Sequence, residues 1–283
     1  MSEVKLVGVV GAGQMGRGIA QVAAASGFKV ILFDINEDGL NFAFEFINKQ
    51  LDKGVSRGKL NQSAADATMA AISKATVMED LKNCDIVIES ATENKQIKFK
   101  IFKQLDEIIK VDAILASNTS SISITEIAAV TNRPDRVAGM HFMNPVPVMK
   151  LVETITGLET SDETIDAVDA LSEKMGKTVV RADDIPGFAV NRILVPMINE
   201  AFYALFEGVS DAKGIDNAMK LGCNQPMGPL ELGDFIGLDT CLAIMEVLYE
   251  GLGDTKYRPC PLLKKYVSAG RLGVKVKKGV YEY

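Results

Sequence analysis

The sequence predicts an α/β amino-terminal domain built on a largely parallel sheet, followed by an all-helical carboxyl-terminal domain. Strand-like apolar runs alternate with helical segments as far as residue 184, an order typical of parallel strands covered by helices on both faces. Beyond that point the sequence shows only helical periodicity. The 283-residue chain is therefore expected to contain two domains, residues 1–184 and residues 185–283.

The amino-terminal domain opens with the order strand, glycine turn, helix, strand. A valine-rich run over residues 4–10 precedes the glycines, and a second apolar run covers residues 29–33. Residues 36–71 are apolar along one face and interrupted by Gly54 and Gly58, which predicts a helical hairpin after the second strand. The other predicted strands span residues 75–77, 85–89, 113–116, 137–140, 151–155 and 178–180.

Local signals mark the remaining helices. Ser123 and Glu126 have the spacing of a capping box, and Gly176 follows a helical pattern over residues 163–175 as a C-cap glycine does. After the boundary, helices are predicted over residues 188–206, 211–221, 238–249 and 261–268. The first of them is apolar around much of its circumference, which predicts that its own domain or another subunit covers it.

The composition excludes several classes of function. The net charge of −6 disfavours a nucleic-acid partner or an anionic membrane surface. One histidine and four cysteines without C-x-x-C spacing predict no metal site. The sequence shows neither a signal peptide nor an apolar run long enough to cross a bilayer, so a soluble, cytoplasmic protein is expected.

The glycine turn carries a dinucleotide-binding pattern. In the run 11–16, Gly11 allows the tight turn, Gly13 lets a pyrophosphate approach the backbone, and Gly16 lets helix and strand pack closely. Gln14 and Met15 begin the helix whose free N–H groups face the phosphates. A strand before the run and a helix after it predict a Rossmann-type domain.

Asp34 ends the second strand, where a carboxylate accepts hydrogen bonds from both ribose hydroxyls of adenosine. The same charge repels a 2′-phosphate, so NAD is the expected cofactor. The alternative is that Asp34 is a turn or helix-capping residue.

His141 is the only histidine in the chain and stands at the end of an apolar run, directly before a segment broken by two prolines. Glu153 lies within a second strand-like run, where an acid is costly to bury unless it is paired. The two residues are predicted to form an acid/base pair, because hydride transfer needs a partner that moves a proton. The alternative is a core histidine bonded to a backbone carbonyl, with Glu153 facing solvent from an edge strand.

Two polar segments are candidates to complete the site. Residues 117–121 follow a predicted strand, and Asn191 lies among apolar residues at the start of the second domain, where it needs a hydrogen-bond partner. The alternative is a helix-capping serine and a packing asparagine.

The chain resembles the 3-hydroxyacyl-CoA dehydrogenase family, in particular its short bacterial 3-hydroxybutyryl-CoA dehydrogenases. The resemblance runs in order along nearly the whole chain, and the His-Phe-x-Asn-Pro run followed by Lys-Leu-Val-Glu is highly specific. The matching stretches are residues 11–16, 116–121, 141–147, 150–153, 185–188, 191–192 and 227–229, together with Asp234.

The resemblance implies a role for each candidate residue. His141 is the acid/base, Glu153 orients it, and Ser120 and Asn191 bind the reacting oxygen or thioester of the substrate. Cofactor-binding roles fall to Glu93 and Lys98 on the nicotinamide side, and to Asn118 and Asn144. The helical domain is expected to form a homodimer.

These expectations combine into one function, the NAD-dependent interconversion of 3-hydroxybutyryl-CoA and acetoacetyl-CoA. The densest basic run near the nucleotide domain lies on the hairpin: Lys49, Lys53, Arg57 and Lys59. We expect this run, with Lys53, Arg57 and Lys59 as the named candidates, to bind the phosphates of an acyl-CoA substrate, unless it forms an ordinary solvated helix face. Two alternatives stay open: a dehydrogenase of a free hydroxy acid such as a sugar acid, and a non-enzymatic dinucleotide-binding regulator.

Overall fold

A computed structural model describes residues 4–283, and the chain divides into two compact units, Met1–Ile185 and Pro186–Tyr283. Within residues 4–283, the first unit contains every strand of the sheet and six α-helices, and the second contains five α-helices. The expected order of an α/β domain before a helical one is confirmed.

The first unit is built on one eight-stranded sheet with the order β3-β2-β1-β4-β5-β6-β7-β8. All neighbouring strands run parallel except β6 and β7, which are antiparallel. The strands are β1 (Leu6–Val10), β2 (Lys29–Phe33), β3 (Ile72–Ala75), β4 (Ile86–Glu89), β5 (Ile114–Ser117), β6 (Val137–Phe142), β7 (Leu151–Thr156) and β8 (Thr178–Asp183).

The prediction for the third strand was wrong in position. It was expected over residues 75–77, but β3 covers Ile72–Ala75, where it pairs in parallel with residues 30–33 of β2. Ile72 and Ala75 are buried, whereas Val77 is half exposed and precedes a short 3-10 turn. Pairing with β2 therefore determines which residues form β3, because a short apolar run does not fix its own register.

Six helices cover the sheet, and polar side chains cap most of them. They are α1 (Gln14–Ala25), α2 (Glu37–Ser56), α3 (Gln62–Ala70), α4 (Lys95–Ile108), α5 (Ile124–Ala128) and α6 (Asp162–Lys174). Asn36, Asn61 and Asn94 each accept a hydrogen bond from the backbone N–H three residues later, which satisfies a free donor of the first turn. α2 and α3 form the predicted hairpin.

The strand order creates a crevice beside β1. The chain crosses from β1 to β2 on one side and later returns to β4 on the other, so β1 separates two oppositely directed crossovers. In open α/β sheets a ligand binds at such a point, outside the carboxyl ends of the strands. The glycine turn follows β1 at this edge.

The second unit packs five helices around an apolar core. They are α7 (Val190–Phe206), α8 (Ala212–Gly222), α9 (Pro229–Ile236), α10 (Leu238–Leu252) and α11 (Pro261–Ser268). Sequence periodicity did not predict α9, because it is only eight residues long, begins at Pro229 and ends before Gly237. Its Leu230 is nevertheless fully buried and belongs to the same apolar core as Phe202 and Leu238.

Across residues 4–283, no helix combines the length and the apolar character needed to cross a bilayer.

Candidate active site

The antiparallel pairing of β6 and β7 sets His141 directly opposite Glu153. Opposed residues of an antiparallel pair share one face of the sheet, so the two side chains meet. The distance from His141 Nδ1 to Glu153 Oε2 is 2.8 Å, and Glu153 is fully buried. The solvent-facing alternative for Glu153 is wrong, since β8 and not β7 forms that edge of the sheet.

Two asparagines hold the chain directly after His141. The side-chain oxygen of Asn118, directly after β5, accepts the Phe142 N–H at 2.8 Å. The side-chain oxygen of Asn144 accepts a hydrogen bond from Gln14 Nε2 at 3.0 Å, which ties the segment after β6 to the first turn of α1. The end of β6 is thereby fixed to the glycine turn.

The glycine turn has the open shape that a phosphate needs. Gly11 has φ +99°, and a Cβ there would lie 2.7 Å from Ala91 Cα, so only glycine fits. A Cβ on Gly13 would meet nothing within 4 Å. No side chain caps α1, and the first N–H groups of this helix, at Gln14 and Met15, remain for an anion. These residues fit a bound dinucleotide.

Asp34 supports the same turn from the end of β2. Its Oδ2 accepts the Ala12 N–H at 2.7 Å, and its Oδ1 accepts the Asn36 N–H at 2.9 Å. The turn-stabilising role is thus present in the structure. A carboxylate has about four acceptor positions, so two bonds leave capacity for ribose hydroxyls.

A fully buried ion pair lies at the carboxyl end of β4. Lys98 Nζ is 2.6 Å from Glu89 Oε2, which also accepts a hydrogen bond from the Ser117 hydroxyl at 3.0 Å. Glu89 is absent from the predicted site residues. An acid that ends a buried strand was the available signal, because a buried charge requires a partner.

Glu93 joins Lys98 to the polar segment after β5. Its Oε2 is 3.7 Å from Lys98 Nζ, and its Oε1 accepts hydrogen bonds from five donors on Thr119, Ser120 and Ser121. Burial alone would raise the pKa of Glu93, but the Lys98 ammonium and these donors outweigh it and hold the pKa below its usual value. Glu93 therefore stays ionised and orders the segment that contains Ser120.

Three of the four basic residues of the predicted run line one cavity of about 700 Å³, and Lys49 is not among its lining residues. Lys53, Arg57 and Lys59 line it together with Arg17, which was not predicted. Residues 144–148, the segment that follows His141 and β6, also line it. The cavity thus extends from the hairpin to the end of the strand that carries His141.

Asn191 is the second residue of α7 and belongs to the second compact unit. The neighbouring Arg192 places its guanidinium 4.5 Å from the centre of the Tyr257 ring in that unit. The role of Asn191 stays a prediction.

Within residues 4–283, no group of three or more His, Cys, Asp or Glu side chains is arranged to hold a metal ion.

Family comparisons cover both units. Residues 6–185 match the model of the 3-hydroxyacyl-CoA dehydrogenase NAD binding domain, and residues 187–283 match that of the 3-hydroxyacyl-CoA dehydrogenase C-terminal domain. Together the two matches span nearly the whole chain.

Individual relatives agree with the family models. The chain is 57% identical over 281 residues to a probable 3-hydroxybutyryl-CoA dehydrogenase of Bacillus subtilis, covering 99% of this chain and 98% of the relative. It is 42% identical over 287 residues to the mitochondrial hydroxyacyl-coenzyme A dehydrogenase of Homo sapiens, covering 99% of this chain and 91% of the relative. The crystal structure of (S)-3-hydroxybutyryl-CoA dehydrogenase from Ralstonia eutropha superposes with a TM-score of 0.97 at 53% identity and 99% coverage of both chains.

The Glu89–Lys98 pair generates a stability prediction. Lys98→Met is expected to lower the free energy of unfolding by about 3–5 kcal/mol, because it leaves a carboxylate buried without its counter-charge. Adding Glu89→Gln removes that charge and keeps an acceptor for Ser117, so the double variant should be more stable than Lys98→Met. Chemical denaturation followed by circular dichroism measures all three proteins.

The matched control is Lys100→Met, which removes an exposed lysine from the same helix and should change stability by less than about 1 kcal/mol. If the double variant is no more stable than Lys98→Met, the buried carboxylate is not what destabilises the single variant.

Proposed function

The chain belongs to the 3-hydroxyacyl-CoA dehydrogenase family, and we propose that it interconverts 3-hydroxybutyryl-CoA and acetoacetyl-CoA with NAD(H). The observation that carries the proposal is the buried His141–Glu153 pair, which lies at the carboxyl edge of the same sheet as the glycine turn. The relatives of nearly equal length named as 3-hydroxybutyryl-CoA dehydrogenases support the choice of substrate.

His141 moves the proton of the reaction. Bound NAD⁺ supplies the hydride acceptor for C3 of the substrate. During oxidation, neutral His141 takes the proton of the C3 hydroxyl through Nε2, since Nδ1 is held by Glu153. In the reverse direction the same nitrogen returns the proton to the C3 oxygen.

Glu153 orients His141 and stabilises its charged form. A carboxylate 2.8 Å from Nδ1 fixes the tautomer in which Nδ1 carries the proton and Nε2 accepts one. When the imidazole becomes imidazolium, the buried negative charge of Glu153 stabilises it. Glu153 itself therefore transfers no proton.

We propose that the Ser120 hydroxyl binds the reacting oxygen. It donates to Glu93 Oε1 at 3.0 Å, one of five donors that converge on this single oxygen atom. Five donors exceed the lone pairs of one carboxylate oxygen, so the Ser120 hydroxyl can turn to a substrate without leaving Glu93 unsatisfied. Asn191 is proposed as the second polar group that binds the substrate oxygen or thioester.

Lys53, Arg57 and Lys59 are proposed to bind the phosphates of CoA. They line one cavity with no aspartate or glutamate among its lining residues, although the whole protein has a net charge of −6. A free hydroxy acid has no group that would reach this cavity from His141. Activity with acetoacetyl-CoA but not with free acetoacetate would therefore support an acyl-CoA substrate over a free acid.

The His141–Glu153 pair is expected to behave as one catalytic unit. His141→Gln should lower kcat about 10²- to 10⁴-fold, because it removes a positioned general base. Glu153→Gln should also lower kcat, and the double variant should be little worse than His141→Gln alone, since groups that act together are strongly non-additive. NADH oxidation with acetoacetyl-CoA measures each protein.

Glu159→Gln is the control, because Glu159 is an exposed acid in the loop after β7 and should not affect kcat. If the fold-decreases in kcat of the two single variants multiply in the double variant, Glu153 acts independently of His141. If wild type reduces no acyl-CoA substrate, the proposed function is wrong.

Asp34 is expected to select NADH over NADPH. Asp34→Ser should raise the KM for NADH about 10- to 100-fold, the range for losing a hydrogen bond to a charged group. The difference between the KM values for NADH and NADPH should therefore become smaller. Asp34→Asn keeps one acceptor for the Ala12 N–H and controls for loss of the turn. A wild-type enzyme that prefers NADPH would contradict this role.

We also propose that the second unit forms a homodimer. Several of its large apolar side chains are exposed although the unit has its own core: Ile193, Phe206, Val209, Leu221 and Phe235. A second copy of the chain would remove such side chains from water. Sedimentation velocity at micromolar concentration should give about twice the 30.5 kDa mass of one chain, and an active monomer would refute the proposal.

We propose a cytoplasmic location because the cysteine thiols are not paired in disulfides. All four cysteines are free, and three of them are buried. Unpaired cysteines are typical of proteins in a reducing compartment.

A further inference from the structure

Arg17 is held against two aromatic rings at the edge of the basic cavity. It is the fourth residue of α1, and its guanidinium carbon is 4.2 Å from the centre of the Phe46 ring and 5.2 Å from that of Phe42. Both phenylalanines belong to α2. A guanidinium over aromatic faces is attracted to them and loses part of its hydration.

Among residues 4–283, the Nε of Arg17 lacks the hydrogen-bond acceptor that a buried N–H donor normally has. Burial also lowers the pKa of Arg17, which means that its charged form is held at a cost. A desolvated donor of this kind is stabilised when a ligand supplies the acceptor.

The surroundings favour an anionic ligand. The cavity is lined by four cationic side chains, those of Arg17, Lys53, Arg57 and Lys59, and by no carboxylate. Over the part of the chain that the structure describes, none of the four forms a salt bridge. A protein with a net charge of −6 thus concentrates uncompensated positive charge at one concave site.

We propose that Arg17 is a specificity-determining residue that binds a phosphate group of the CoA portion of the substrate, held ready by Phe42 and Phe46. This rests on the proposed function, and it adds a residue from α1 to the hairpin lysines and Arg57. The wall of residues 144–148 links the cavity to the end of β6, so an elongated thioester can reach His141 while its phosphates stay at the cationic end.

The side-chain chemistry explains why arginine suits this position. Its planar guanidinium stacks on a ring with one face and presents N–H donors along its edge, which match two phosphate oxygens at once. Lysine at position 17 would keep the charge but would not offer this fixed pair of donors. The aromatic pair also restricts the side chain before binding, which lowers the entropy lost when the phosphate arrives.

The test compares Arg17→Met, which keeps the aliphatic packing but removes the charge, with Arg17→Lys. The control is Lys29→Met, which makes the same charge change at an exposed lysine where β2 begins, the end of the strand opposite Asp34. KM and kcat are measured with acetoacetyl-CoA, with acetoacetyl-pantetheine, which lacks the nucleotide phosphates, and with NADH varied. Calorimetric titration with CoA itself gives a binding constant independent of turnover.

Arg17→Met should raise the KM for acetoacetyl-CoA and the Kd for CoA about tenfold, the lower end for a lost charge-assisted hydrogen bond in a partly hydrated site. Its kcat, its kcat/KM with acetoacetyl-pantetheine and its KM for NADH should equal those of wild type. For Arg17→Lys, the KM for acetoacetyl-CoA and the Kd for CoA should lie between those of wild type and Arg17→Met. For Lys29→Met, both constants should match those of wild type.

Three outcomes overturn the inference. An unchanged KM for acetoacetyl-CoA means that Arg17 does not touch CoA. An equal loss with acetoacetyl-pantetheine means that Arg17 only supports the packing of α1 on α2. A raised KM for NADH alone assigns the phosphate contact to the cofactor. Each leaves wild-type reduction of acetoacetyl-CoA intact, so failure of this inference is distinct from failure of the proposed function.

Discussion

Glu153 is a carboxylate out of reach of solvent, and the contact with His141 is what makes a charge in that position tolerable. The contact exists because β7 runs against β6 in a sheet whose other neighbours are all parallel. The one reversal of strand direction thus joins the imidazole to its acid, and the proposed proton transfer depends on it.

The same constraint governs the neighbouring strand ends. Glu89 is buried against Lys98, and Glu93 is held by Lys98 and the donors of the segment after β5. Each carboxylate at this edge is therefore neutralised or hydrogen-bonded by a group from another element, which fixes the polar segments relative to the sheet. A crevice with such prearranged polar groups suits a reaction in which charge moves between an alcohol and an imidazole.

Charge is distributed unevenly over this acidic protein. The α2–α3 hairpin and α1 gather four cations around one cavity without an adjoining carboxylate. Local concentration of one sign matters more for binding than the net charge, because the field in a concave site is focused there. An enzyme with a net charge of −6 can in this way accept a substrate that carries several phosphate charges.

Local sequence determined the strand-glycine-helix turn, Asp34 at the end of β2, the helical hairpin and most helix positions, because glycine geometry, capping and periodicity act within a few residues. The His141–Glu153 pair was also predicted, since one histidine and one acid in an apolar strand left few partners. Only the tertiary structure paired Lys98 with Glu89, placed Arg17 on Phe46 and defined β3 and α9. Those features depend on which distant side chains and strands meet when the core packs, and no local pattern carries that information.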